Sequence, residues 1–171
     1  MQTTIDNYSL GFTQSKTYLL ALAFVIGNIL LPQLCHLMPD GGLIFLPIYF
    51  FTLVGAYKYG SCVGLLTAVA SPLVNSALFG MPAPAALPAI LMKSVLLAVF
   101  ASLAASKFKS ASLLAILAVV LSYQVVGTLG EWMMKGDLFL ALQDFRIGVP
   151  GILIQIFGGW VLINKIERLK S

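Results

Sequence analysis

Long stretches of this sequence carry no charge at all, and that feature constrains the fold more than any other. No Asp, Glu, Lys or Arg falls between Thr17 and Leu37, between Ala111 and Leu129, or between Ile147 and Ile163. Only 9% of the 171 residues are charged, against roughly 25% in a soluble domain whose surface must face water. Lipid is therefore the expected solvent, and lipid forces each spanning segment to satisfy its own backbone hydrogen bonds as a helix. A β-barrel would alternate apolar and polar residues over short strands, whereas these apolar runs are continuous.

A hydrocarbon core is crossed by about 20 helical residues, and six windows meet or nearly meet that need. They run over about 17–37, 43–57, 61–79, 85–106, 111–129 and 147–163, the second interrupted by Pro47 and the third by Pro72. The expectation is an all-α integral membrane protein: one six-transmembrane-helix bundle over residues 1–171. The polar start of the chain and the length of its first apolar segment argue against a cleaved signal peptide. Residues 130–146 form the long polar connection, in which Leu138, Leu140, Ala141 and Phe145 suit a short interfacial helix.

The charges orient the bundle. With the N-terminus inside, Lys16, Lys58, Lys107, Lys109, Lys165, Arg168 and Lys170 are cytoplasmic, and Lys135 and Arg146 lie opposite. That bias predicts cytoplasmic N- and C-termini. The acidic Asp40, Glu131, Asp137 and Asp144 fall on the outer side.

Lys93 stands about eight residues into the fourth window, roughly 12 Å along the helix at 1.5 Å per residue. A charge at that depth is costly and faces a bundle interior or a wet cavity. It is either a cation for a substrate carboxylate or phosphate, a lysine snorkelling to the interface, or a partner of Glu131 or Asp144. His36, at the outer end of the first window, suits the wall of an outer pocket. Asn75 and Gln124 lie toward the same side, either in that pocket or hydrogen-bonded between helices. Trp132 reads most simply as an interfacial anchor. The cytoplasmic half is almost free of polar residues apart from its flanking lysines, and that asymmetry suggests an outward-facing site. Ala23 and Gly27, four apart on one helix face, permit close packing within the bundle or against a partner. Gly55, Gly60 and Gly64 mark close approach around the second and third windows.

Enzyme signatures are missing. There is one His, no His-Glu-x-x-His, no Gly-x-Ser-x-Gly, and no close pair of intramembrane carboxylates. Without a second His or Cys near Cys35 and His36, a metal site is not expected. No Gly-x-x-x-x-Gly-Lys phosphate loop is present, so a partner or an ion gradient must energise any transport. No cofactor and no nucleic-acid partner are expected.

Several motifs then fall in a recognisable order. The runs Phe45-Leu46-Pro47-Ile48-Tyr49 and Gly55-Ala56-Tyr57-Lys58-Tyr59-Gly60, with Gly64, Ser71-Pro72-Leu73 and Gly80-Met81-Pro82, resemble the substrate-binding S components of energy-coupling factor (ECF) transporters. The motif resemblance covers about Leu31 to Ala101 and extends to the rest through topology. It implies a subunit in a bacterial cytoplasmic membrane that captures a vitamin-like small molecule from outside. Such a subunit topples against a transmembrane coupling subunit driven by two cytoplasmic ATPases. The resemblance assigns partner contact to Ala23 and Gly27, and the pocket to His36, Met81, Lys93, Gln124, Glu131, Trp132 and Arg146. The competing expectation is a non-transporting six-span scaffold of the cell-shape type, whose pocket would be filled by its own side chains.

Overall fold

A computed structural model describes residues 9–108 and 111–169. Lys109 and Lys170, counted above among the cytoplasmic charges, lie outside the described residues. The protein is helical, with no strand among the described residues. Among the described residues five helices are long and apolar enough to cross a membrane. They are α1 (Ser15–Cys35), α4 (Ser61–Phe79), α5 (Leu87–Phe108), α6 (Leu113–Lys135) and the last span, Val149–Arg168. At 1.5 Å per residue they measure roughly 28–35 Å, the thickness of a hydrocarbon core. The chain is thus a multi-pass membrane protein by the length and composition of its helices.

The predicted second span is built differently. Its residues form α2 (Gly41–Phe45), a three-residue 3₁₀ turn (Pro47–Tyr49) and the ten-residue α3 (Phe50–Tyr59). Leu46 adopts a left-handed conformation, and the following proline disfavours a helical residue before it, so the segment breaks there. Turn and helix together reach only roughly 20 Å. Every residue of α3 from Thr52 to Tyr59 is buried, among α1, α4, α5 and the last span. Protein rather than lipid surrounds it.

One polar network joins three helices at mid-depth. Pro32 sits inside α1 and lacks the N–H that would bond the carbonyl of Asn28. Asn75 Nδ2 of α4 donates to that carbonyl at 2.9 Å. The Asn28 side chain in turn accepts from Phe51 N–H at 3.1 Å, one of the otherwise unmatched donors in the first turn of α3. It donates to Thr52 Oγ1 and Ser71 Oγ at 3.0 and 3.1 Å. Below this network the helices meet through small residues. A Cβ on Gly64 would stand 2.4 Å from that of Ala56 and 3.4 Å from that of Ala98, so glycine lets α3, α4 and α5 close up.

The chain's described ends meet at one end of the bundle. Leu10 N–H donates to the Tyr59 carbonyl at 3.2 Å, buried Lys58 pairs with Glu167, and Asn164 Nδ2 donates to the Ala111 carbonyl at 3.1 Å. The opposite end holds the 36–46 and 80–86 connections and the α6-to-last-span connection. There α6 runs six residues past its predicted limit at Leu129, carried by an i,i+4 pair between Glu131 and Lys135. The connection that follows holds two short helices, α7 (Leu138–Ala141) and α8 (Gln143–Arg146). Asp137 caps α7, accepting from Phe139 and Leu140 N–H at 2.8 and 3.1 Å.

Candidate functional site

The inward face of α6 at the end opposite the chain ends carries Tyr123, Gln124, Thr128 and Glu131, all buried. Spacings of four and seven residues put Gln124, Thr128 and Glu131 on one helix face. Opposite them, α5 places Lys93 at its seventh position, 3% exposed. The stem of Lys93 lies flat on α6 because residue 127 is glycine: a Cβ there would stand 2.6 Å from Lys93 Cγ.

Lys93 pairs with both carboxylates together. Lys93 Nζ lies 2.8 Å from Asp144 Oδ2 and 2.5 Å from Glu131 Oε2. Glu131 Oε1 in turn holds Lys135 at 2.6 Å. Two cations and two anions form a chain with no net charge. Asp144 brings α8 into this chain, so the connection between α6 and the last span is tied to α5 across the bundle.

Beside the charges lies a neutral network. Tyr123 O–H donates to Gln155 Oε1 at 2.7 Å and accepts from Gln124 Nε2 at 3.0 Å. Gln155 is 1% exposed and Gln124 fully buried. Tyr49 packs its ring against Tyr123 with centroids 5.5 Å apart. Gln155 belongs to a π-helical turn, Ile154–Gly158, an insertion that recurs at functional sites. Among the described residues seven buried side-chain polar atoms have no hydrogen-bond partner. Gln124 Oε1, Thr128 Oγ1 and Gln155 Nε2 belong to this face and the amide it bonds, Ser94 follows Lys93 on α5, and Gln33 Nε2, Asn75 Oδ1 and Glu167 Oε2 lie elsewhere. A cavity of about 230 Å³ is walled by Leu31, Leu34, Cys35, Pro47, Phe50 and Gln155 among others.

Of the predicted pocket residues, the structure brings Lys93, Gln124 and Glu131 together. The other four reach the surface of the same end. His36 is exposed just past α1, its ring over Gly42. Met81 is exposed in the 80–86 loop, and Trp132 is exposed on α6. Arg146 is exposed and lies 3.6 Å from the centre of the Phe139 ring. Among the described residues no cluster of three or more His, Cys, Asp or Glu could hold a metal ion.

Tyr49, Tyr123, Asp144 and Gln155 were not among the predicted site residues. The signal for Gln155 was a lone amide inside the apolar run Ile152–Phe157. That for Tyr123 was its place one residue before Gln124 on a helix face that also carries Glu131.

Ala23 and Gly27 were left open to packing within the bundle or against a partner, the resemblance assigning both to a partner; a Cβ on Gly27 would stand 2.8 Å from the Phe51 ring of α3. Gly27 packs within the bundle, while Ala23 is exposed. Four residues advance a helix by more than a full turn, and here that drift carries Gly27 onto the inner side.

Comparison with protein-family models, curated proteins and solved structures finds no match to this chain.

Proposed function

We propose that the chain is the solute-capture subunit of an energy-coupling factor importer in a bacterial cytoplasmic membrane. The observation that carries this reading is that Gln124, Thr128 and Gln155, on and against the face of α6 that holds the Lys93 stem, each keep a buried polar atom without a partner. Each such group costs about 1–3 kcal/mol when left unmatched, and native interiors hold few of them. A scaffold gains nothing from them. A solute bringing complementary groups recovers the cost, and this is how a binding site gains affinity on filling.

In this reading the buried α3 counts as a crossing. The chain passes from Phe45, whose backbone packs against Gly151, to Tyr59, which bonds Leu10. Six crossings return both termini to the cytoplasm. Lys16, Lys58, Lys107, Lys165 and Arg168 then face inward, against Lys135 and Arg146 outside. In a chain with Cys35 and Cys62 replaced by serine, an impermeant maleimide added from outside should label Asp137→Cys and spare Phe108→Cys. The reverse pattern would invert the orientation and end the capture reading.

The partners are a vitamin-like small molecule, a transmembrane coupling subunit and two cytoplasmic ATPases, since this chain carries no phosphate loop. Ala23, on the exposed face of α1, is the coupling contact. Ala23→Leu should abolish uptake while leaving solute binding and thermal stability of the isolated protein unchanged. Gly27→Leu should instead lower the melting temperature, because its side chain collides with Phe51. Equal stability loss in both variants would make Ala23 a packing residue as well.

A second reading, the six-span scaffold, draws on a different observation: Lys93 is filled by the protein's own carboxylates. Purification from native membranes in mild detergent separates the two. The capture subunit releases a small molecule on denaturation and carries a membrane subunit with two ATPases by native mass spectrometry. Protein that is monodisperse, empty and free of ATPases would end the capture reading.

A further inference from the structure

We infer that the solute is uncharged and presents one hydrogen-bond donor and one acceptor, as a cyclic or ring-borne amide does. The inference rests on the capture reading and deepens it. Its first support is the arithmetic of the Tyr123 hydroxyl, which has a single proton. That proton goes to one amide, Gln155 at 2.7 Å, and the oxygen accepts from the other, Gln124 at 3.0 Å. The free ends of the two amides are therefore opposite in kind: Gln124 Oε1 accepts and Gln155 Nε2 donates, and neither has a partner. Turning both amides over exchanges the two ends but still leaves one donor and one acceptor.

The second support is the balance of charge. Lys93 is committed to Glu131 and Asp144, and Lys135 to Glu131. At the depth of Lys93 an incoming carboxylate or phosphate finds the ammonium already paired and meets two carboxylates in a buried setting, where an unpaired charge is very costly. An uncharged solute leaves the ion chain intact. The third support is the cavity of about 230 Å³ whose wall includes Gln155. Its other walls, Leu31, Leu34, Pro47 and Phe50, suit an apolar ring body. Gln155 thus meets the polar edge of the solute at the cavity wall, Gln124 stands behind it across the Tyr123 hydroxyl, and the ion chain of Lys93 holds the fold around them.

Thermal unfolding of the full-length protein in detergent tests this, using uracil, 2-pyridone and nicotinamide as uncharged probes. Orotate and nicotinate are their charged counterparts, all at millimolar concentration. At least one uncharged amide should raise the melting temperature, and neither carboxylate should. Gln155→Leu should weaken that probe about tenfold, the loss of one buried hydrogen bond of roughly 1.4 kcal/mol. Gln124→Leu should do the same and serves if the first variant folds poorly. Stabilisation by orotate or nicotinate, by none of the uncharged amides, or undiminished in both leucine variants overturns the inference. Binding is read without any partner, so failure to couple to ATPases would sink the importer reading alone. A charged molecule released from coupled, active protein would sink this inference alone.

Discussion

Lys93→Met is expected to cost this protein most of its stability margin, on the order of 10 °C in melting temperature. The substitution keeps the apolar stem that lies on Gly127 but removes the cation between Glu131 and Asp144. Both carboxylates are largely buried, with side chains 10% and 14% exposed, and Glu131 retains only Lys135. Breaking a buried pair by removing one partner costs about 3–5 kcal/mol, because the remaining charge has lost its solvation and its counter-ion. For a chain of this size each kcal/mol shifts the midpoint by roughly 2–4 °C. Removing the charges together should behave differently. The triple variant Lys93→Met, Glu131→Gln, Asp144→Asn leaves no buried ion and should recover most of the loss, as apolar or neutral replacements of buried pairs commonly do. Differential scanning fluorimetry of the single and triple variants decides it. A single variant as stable as the parent would mean that water reaches the ion chain. Lost solute affinity in Lys93→Met alone would not mark Lys93 as a ligand contact, since the fold around the site changes with it.

Asn28→Leu should be nearly as damaging, by about 2–4 kcal/mol. Leucine fills a similar volume, so little of the effect is a cavity. The main cost is the Phe51 N–H, which loses its acceptor at the buried start of α3; an orphaned donor costs about 1–3 kcal/mol. The two bonds from Nδ2 to Thr52 and Ser71 add less, since hydrogen bonds between membrane helices average about 0.6 kcal/mol. Asn75→Leu gives the internal control. It removes the donor that serves the Asn28 carbonyl, left without a helical partner by Pro32. Adding Pro32→Ala restores a backbone N–H at that position and should rescue Asn75→Leu, but not Asn28→Leu. Rescue of both, or of neither, would show that the network does not work through the missing proline donor.

How much of this was legible in the sequence follows from the range of each interaction. The membrane class and the five long helices could be read directly, because desolvating a backbone is a local penalty that each apolar run meets by itself. Pro47 marked the break in the second segment, yet not its burial. A window of hydropathy measures what a segment tolerates, and α3 tolerates lipid as readily as the protein that surrounds it. Lys93 was conspicuous as a charge at depth, and Asp144 and Glu131 were named as possible partners. That it takes both depends on α8 folding back 51 residues later in the chain, which no local rule fixes. For Gly27 the sequence left bundle and partner packing open, because a spacing of four places residues near one face without saying where the neighbouring helix stands. The amide pair on Tyr123 is the clearest case. Gln124 and Gln155 are 31 positions apart, and each alone is an ordinary polar residue in an apolar helix. Composition and period determined the solvent, the helices and the charged ends, all of which depend on single segments. Only the packing of α5, α6 and the last span decided which polar atoms are satisfied, because satisfaction is a property of pairs.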